Sequence, residues 1–217
     1  MIDSGLDDNR AYHYSRFSNS RRLEYPIISG WIKDNSRIID FGCGDCSLIR
    51  LLKEEHNASC VGYDISETGI QRCRDNGVTA VCDAIDKEHS ELCNQSFDYA
   101  ICNVTLQMVM YPEVLFAEMR RVSNFQIISF PNFAYFWNRI DFFLKGKMPR
   151  PMLSGYTWYS TGHIHQLSVK DFYDFLKLFP DTEILDQHHL CGNMPMEKRL
   201  VNAFPNFLSQ VSIILLK

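Results

Sequence analysis

The residues best suited to chemistry fall in one run, Asp40-Phe-Gly42-Cys43-Gly44-Asp45, where an apolar stretch ends in a carboxylate and then in two glycines one residue apart. A parallel strand that stops, turns sharply and opens a helix with its backbone flat against a ligand leaves no room for Cβ atoms. Gly42 and Gly44 therefore mark a ligand-binding turn. Asp40, just before the turn, faces a cationic group. Ala58-Ser-Cys-Val-Gly-Tyr-Asp64 is a second short apolar run ending in an acid, about 20 to 25 residues after the first, where ribose-binding acids stand in βαβ nucleotide sites. Asp64 is accordingly assigned to ribose hydroxyls, with Ile65 next to it. A third run, Val78-Thr-Ala-Val-Cys82, ends at Asp83-Ala84, the place of an adenine.

Two kinds of cofactor use such a turn. A dinucleotide calls for a third glycine in Gly-x-Gly-x-x-Gly and a helix N-terminus aimed at pyrophosphate. Here Ser47 stands at that third position, and Asp45 puts a negative charge into the turn, where it repels phosphate. A carboxylate at Asp40 suits an ammonium better than a diphosphate. The run therefore reads as the S-adenosylmethionine loop of a methyltransferase, lined by Asp40, Gly42, Cys43, Gly44, Asp64, Ile65, Asp83, Ala84 and Asn103, with a bare structural turn as the alternative.

The elements that must carry these residues alternate. Phe97-Asp-Tyr-Ala-Ile-Cys-Asn103 and Phe125-Gln-Ile-Ile-Ser-Phe130 add a fourth and a fifth strand, and Asp181 to Leu190 and Ser209 to Leu216 the last two. Helical patterns follow at Leu48–Lys53, Thr68–Arg74 and Pro112–Val122, the last with proline at its start and Arg120 and Arg121 near its end. Ser168-Val-Lys-Asp171 is a capping box with aspartate in place of the usual Glu or Gln. Short apolar strands alternating with helices predict an α/β, Rossmann-like doubly wound sheet in a single domain. A net charge of −4 in 217 residues offers no basic surface for nucleic acid or anionic membrane. No leader or spanning run is visible, and the eight cysteines, scattered through strands and helices, read as free thiols of a reducing, cytoplasmic compartment. Cys43-Gly-Asp-Cys46 matches a Cys-x-x-C pattern but lacks a second pair at zinc-finger spacing, so no metal is expected.

Taken together, Asp40-Phe-Gly-Cys-Gly-Asp, Gly62-Tyr-Asp-Ile, Gln95-Ser-Phe-Asp-Tyr, Thr105-Leu-Gln107, Ser129-Phe-Pro-Asn-Phe133, Gly146-Lys-Met-Pro149 and Tyr156-Thr-Trp-Tyr-Ser-Thr-Gly-His-Ile-His165 resemble the MetW-like branch of class I methyltransferases. The resemblance implies a seven-stranded, mostly parallel sheet with an antiparallel final strand. It implies either S-adenosylmethionine-dependent methylation of a small polar acceptor, such as O-methylation of a phosphorylated or sugar-linked metabolite, or a non-catalytic partner of a homoserine O-acyltransferase. The sequence departs from the branch at Cys46, where the loop usually has a further glycine, and in a longer N-terminal segment of about 35 residues.

Acceptor contacts are expected where the pattern is most distinctive. His163 and His165 flank Ile164 and share a side if the segment is extended, as a general base or as structural hydrogen bonders. Asn103 ends the fourth strand next to the transferring methyl, as an acceptor contact or a loop cap. Gln107 and Asn132 carry the same two readings. Tyr12 and Tyr14 read as part of an N-terminal helical lid over residues 1–35, or as a packed helix face. Residues 133–167 are long for a connection and are expected to cap the acceptor, with Tyr156 and Tyr159 in contact with it. Arg139, Lys145, Lys147 and Arg150 form either a phosphate- or carboxylate-binding group or ordinary surface cations.

Overall fold

A computed structural model of the chain describes residues 22–149, 163–192 and 200–217. The strands are β1 (Arg37–Phe41), β2 (Ser59–Asp64), β3 (Thr79–Cys82), β4 (Phe97–Asn103), β5 (Ser123–Pro131), β6 (Ile184–Leu190) and β7 (Val211–Leu216). They form one sheet in the order β3-β2-β1-β4-β5-β7-β6. The first five are mutually parallel, and β7 runs antiparallel to both of its neighbours. This is the doubly wound sheet, with its antiparallel last strand, that the sequence implies.

Alternation along the strands sends side chains to two cores. Ile39 and Phe41 of β1 face one side, where Leu115, Phe116 and Met119 of α4 (Pro112–Val122) and Phe172 of α6 (Val169–Leu176) cover them. Ile38 faces the other side, with Ile28 of α1 (Tyr25–Trp31) and Leu48 and Leu52 of α2 (Ser47–His56). A third cluster joins Ile49 of α2 to Ile70 and Cys73 of α3 (Glu67–Asp75). Apolar burial on both faces is why these strands read as continuous apolar runs.

The Ser168 cap forms as expected: its side chain accepts the Asp171 N–H, and the Asp171 carboxylate accepts the Ser168 N–H. Two further helices, α5 (Phe136–Lys145) and α7 (Pro205–Leu208), pack through Phe136 and Phe207, whose ring centroids lie 5.1 Å apart. The first of them falls in the segment expected only as an acceptor cap. Its apolar residues are largely exposed, so no buried periodic stripe announces a helix.

Candidate functional site

Strand order reverses at β1, whose helix α2 lies on one face of the sheet while the helix after β4 lies on the other. At such a switch point the carboxyl ends of two strands open a crevice. Asp40 of β1 lies in register with Ile101 of β4 at this place.

Backbone contacts fix the glycine turn. The N–H groups of Gly42 and Cys43 donate to the Tyr63 carbonyl at 2.7 and 3.2 Å. Gly44 N–H donates to the Asp64 carboxylate at 2.8 Å, and Ser66 N–H donates to the other oxygen of the same carboxylate at 2.8 Å. Gly42 has φ +85°, and a Cβ there would lie 2.4 Å from the Thr105 side chain. The obstruction expected from a ligand at Gly42 thus comes from the protein itself: the loop after β4 passes directly over the turn after β1. Gly62 is required in the same manner, since a Cβ on it would lie 2.6 Å from Cys43 Sγ. Neither contact was visible in the sequence, because each joins residues that only the parallel pairing brings together.

Asp45, one residue before the N-cap Cys46, accepts the N–H of Ser47, the first residue of α2, at 3.2 Å and the Ser47 hydroxyl at 2.5 Å. The helix N-terminus where a pyrophosphate would sit already holds a carboxylate, and this removes the dinucleotide reading.

The electrostatics favour a cation. Asp40 is 2% exposed, and its Oδ1 has no hydrogen-bond partner among the described residues. Burial, then repulsion from Asp64, raises its carboxyl to about 7, with Arg22 acting in the opposite direction. A ligand ammonium would relieve both the desolvation and the repulsion. Burial pushes Asp83 upward, but Lys87 at 2.7 Å and the Ala84 N–H outweigh it and hold the carboxyl below its ordinary value. Under the Asp83-Ala84 turn lies His89, buried, with Nε2 3.1 Å from the Ala84 carbonyl and its ring edge-on to Tyr63 at 4.9 Å. Sequence reasoning missed His89, and only its tertiary placement reveals it. Tyr25 of α1 reaches Ser47 of α2 at 3.3 Å, which places the start of the described chain next to the glycine turn.

The cysteine reading needs correction. Cys46, with φ +59°, is joined to Cys73 of α3 by a disulfide, so these two are not free thiols. Cys43, Cys60, Cys82, Cys93, Cys102 and Cys191 remain free. The sulfurs of Cys43, Cys46 and Cys73 lie within 4.8 Å of one another. Burial, with Asp40 and Asp64, pushes the Cys43 thiol far above its ordinary range.

At the end of β4, Asn103 Oδ1 accepts the Ser129 hydroxyl at 2.5 Å. Gln107 is fully buried in a 3-10 turn (Leu106–Met108); its Nε2 donates to the Val104 carbonyl at 2.8 Å, while its Oε1 has no partner among the described residues. The Gln107 carbonyl accepts the N–H groups of Ile164 and His165 at 2.9 and 3.0 Å, tying that segment over the end of β4. Ile164 points outward while His163 and His165 are half-buried, as alternation requires, and the His163 ring lies edge-on to Phe133 at 5.7 Å.

Of the two readings of Asn132, the contacts match the loop one. Its Nδ2 donates to the carbonyls of Ser209 and Asn206 at 2.9 and 3.2 Å, and its Oδ1 accepts the Ala134 N–H at 3.1 Å, so the side chain fastens α7 and is not left for an acceptor. The expected basic group is also partly committed: Lys145 pairs with Asp141 at 2.6 Å, and Arg139 donates to the carbonyls of Ala134 and Asn206. Lys147 is exposed. Tyr12, Tyr14, Arg150, Tyr156 and Tyr159 lie outside the described residues.

This sheet, with an acid and a glycine turn at its switch point, is the class I S-adenosylmethionine-dependent methyltransferase fold. Among solved structures, a methyltransferase of this kind from Archaeoglobus fulgidus superposes with a TM-score of 0.67 over 95% of this chain and 100% of its own, at 15% identity. One from Mesorhizobium loti gives 0.63 over 90% and 98%, at 19% identity. The model of the methionine biosynthesis protein MetW family matches residues 22–216, and the chain belongs to that family. A curated relative from Rhodopirellula baltica, the bifunctional methionine biosynthesis protein MetXA/MetW, is 27% identical over 154 residues, covering 67% of this chain and 25% of that protein. The chain thus spans about a quarter of the length of this relative.

Proposed function

We propose that the chain binds S-adenosylmethionine at the β1–β4 crevice and transfers its methyl group to a small polar acceptor. Buried Asp40, with an unpartnered oxygen and a raised carboxyl at the end of β1, carries this reading, since a fixed anion in such a place asks for a cation. Asp40 would take the ammonium, Asp64 the ribose hydroxyls, and Ile65 and the Asp83-Ala84 turn the adenine. When bound, the cofactor supplies an electrophilic methyl on a sulfonium. The chain's part is positioning: the Thr105–Gly42 contact holds the loop, and Asn103 and Gln107 line the end of β4 where an acceptor would approach. His165, and His163 with it, is the candidate base over that end. An oxygen acceptor bearing a phosphate or sugar is the finer reading, with Lys147 and Arg150 as anion contacts. Changing both to alanine is expected to raise the acceptor's KM while S-adenosylhomocysteine affinity holds; unchanged acceptor kinetics would remove the anion contact.

A second reading, partnership with an acyltransferase, is favoured by the relative whose MetW part shares a chain with a second activity. Its structural support is the C-terminal end of α5 and the residues after it, where Phe143 is 86% exposed and Phe142, Leu144 and Met148 are exposed too. Titration with S-adenosylhomocysteine tests the first reading; co-purification with the acyltransferase, and its loss in Phe143→Glu, tests the second.

A further inference from the structure

Cys46 stands in the turn after β1 with φ +59°, a left-handed backbone that favours glycine. A side chain there costs on the order of 1 kcal/mol unless something holds it. The holder is Cys73, in α3, 27 residues on, with a Cα–Cα distance of 5.4 Å that a disulfide spans. Cys73 Sγ also lies 3.5 Å from the Gly44 carbonyl oxygen, so the bridge touches the turn at two points. Both cysteines are fully buried. The other six cysteines are free, and this is the cysteine usage of a reducing compartment, where a disulfide is transient and sensing, not structural.

We propose that Cys46 and Cys73 are a reversible oxidation site: forming the disulfide locks the cofactor loop onto α3 and tightens cofactor binding, and reducing it releases the loop. The effect on affinity rests on the cofactor reading above; the lock itself does not. In the oxidation a hydroperoxide is the electron acceptor. One cysteine attacks the peroxide oxygen, giving a sulfenic acid and water. The second displaces the sulfenic oxygen as a second water, so two S–H bonds break, one S–S bond forms and two electrons pass to hydrogen peroxide. A thiol reductant reverses it by exchange. Cys43 is the third sulfur within reach, but the neighbouring carboxylates of Asp40 and Asp64 oppose its thiolate and make it a poor attacker, so the product is the 46–73 bridge.

The test compares protein treated with hydrogen peroxide and with dithiothreitol by three readouts: thiol alkylation with peptide mass spectrometry, hydrogen exchange of the 42–50 backbone, and titration with S-adenosylhomocysteine. Oxidised protein is expected to yield a Cys46–Cys73 linked peptide and roughly tenfold slower exchange in that loop. Its affinity is expected to be roughly threefold higher, through pre-organisation. Cys73→Ser is expected to abolish the difference between the two treatments. Cys46→Gly, which restores the residue that accepts positive φ, is expected to bind with an affinity that ignores redox treatment. Absence of the linked peptide, or a linked peptide with loop exchange unchanged, would overturn the proposal. A linked peptide and slowed exchange with no binding in either state would leave the lock standing and instead contradict the cofactor reading.

Discussion

Asp40 is a buried carboxylate at the crevice, desolvated and repelled by Asp64. Its carboxyl titrates at about 7 in the folded chain against 3.8 as a free side chain. Because the folded value is raised, the native state holds this proton more tightly than the unfolded one. Its contribution to stability is therefore greatest below pH 4 and is lost as pH rises to about 7. Ligand-free Asp40→Asn is accordingly expected to melt at a higher temperature than the native chain at pH 8, while binding S-adenosylhomocysteine more weakly; a lower melting temperature would contradict the desolvation argument. In the native chain the cofactor ammonium needs the carboxylate ionised, so affinity should fall about tenfold between pH 8 and pH 6. Titrations at the two pH values check this. Gly42 is bound by sterics instead of charge. Gly42→Ala drives a Cβ into Thr105 at positive φ and is expected to cost roughly 1–3 kcal/mol in denaturant unfolding.

At the scale of elements, the five parallel strands and the helices between them were legible because both faces of the sheet are buried and each run is short, apolar and bounded. β4 and α4 span the same residues in structure and sequence pattern. Asp40, Asp64 and Asp83 were legible for the same reason, since each stands at or within one residue of the end of a strand. What escaped depends on contacts between elements. The Cys46–Cys73 bridge joins the start of α2 to α3, the Thr105 contact joins the β1 and β4 loops, and α5 has no buried stripe to betray it. Asn132 stayed open in the sequence because a strand-end amide can serve a ligand or a loop with the same atoms, and here three backbone partners take them. Asn132→Ala should cost roughly 1–3 kcal/mol of stability through the carbonyls it strands, with cofactor affinity unchanged. Weakened cofactor binding in a folded Asn132→Ala protein would return this residue to the site.

For the whole molecule, membership in the MetW family and a sheet shared with methyltransferases describe the same chain from two sides. No helix among the described residues is long and apolar enough to cross a membrane. The crevice proposed for the cofactor sits at the carboxyl ends of β1 and β4, while the exposed apolar residues of α5 belong to a helix beyond β5. The two proposed roles therefore use separate elements, and Phe143→Glu is expected to disrupt a partner complex while leaving cofactor binding intact. The most direct test of the central claim is calorimetric titration of the purified protein with S-adenosylmethionine and S-adenosylhomocysteine, with Asp40→Asn and Asp64→Ala measured alongside. Micromolar binding that both substitutions weaken or abolish is the expected result. No binding to the native protein in either redox state, or binding indifferent to both substitutions, would contradict a cofactor site at this crevice.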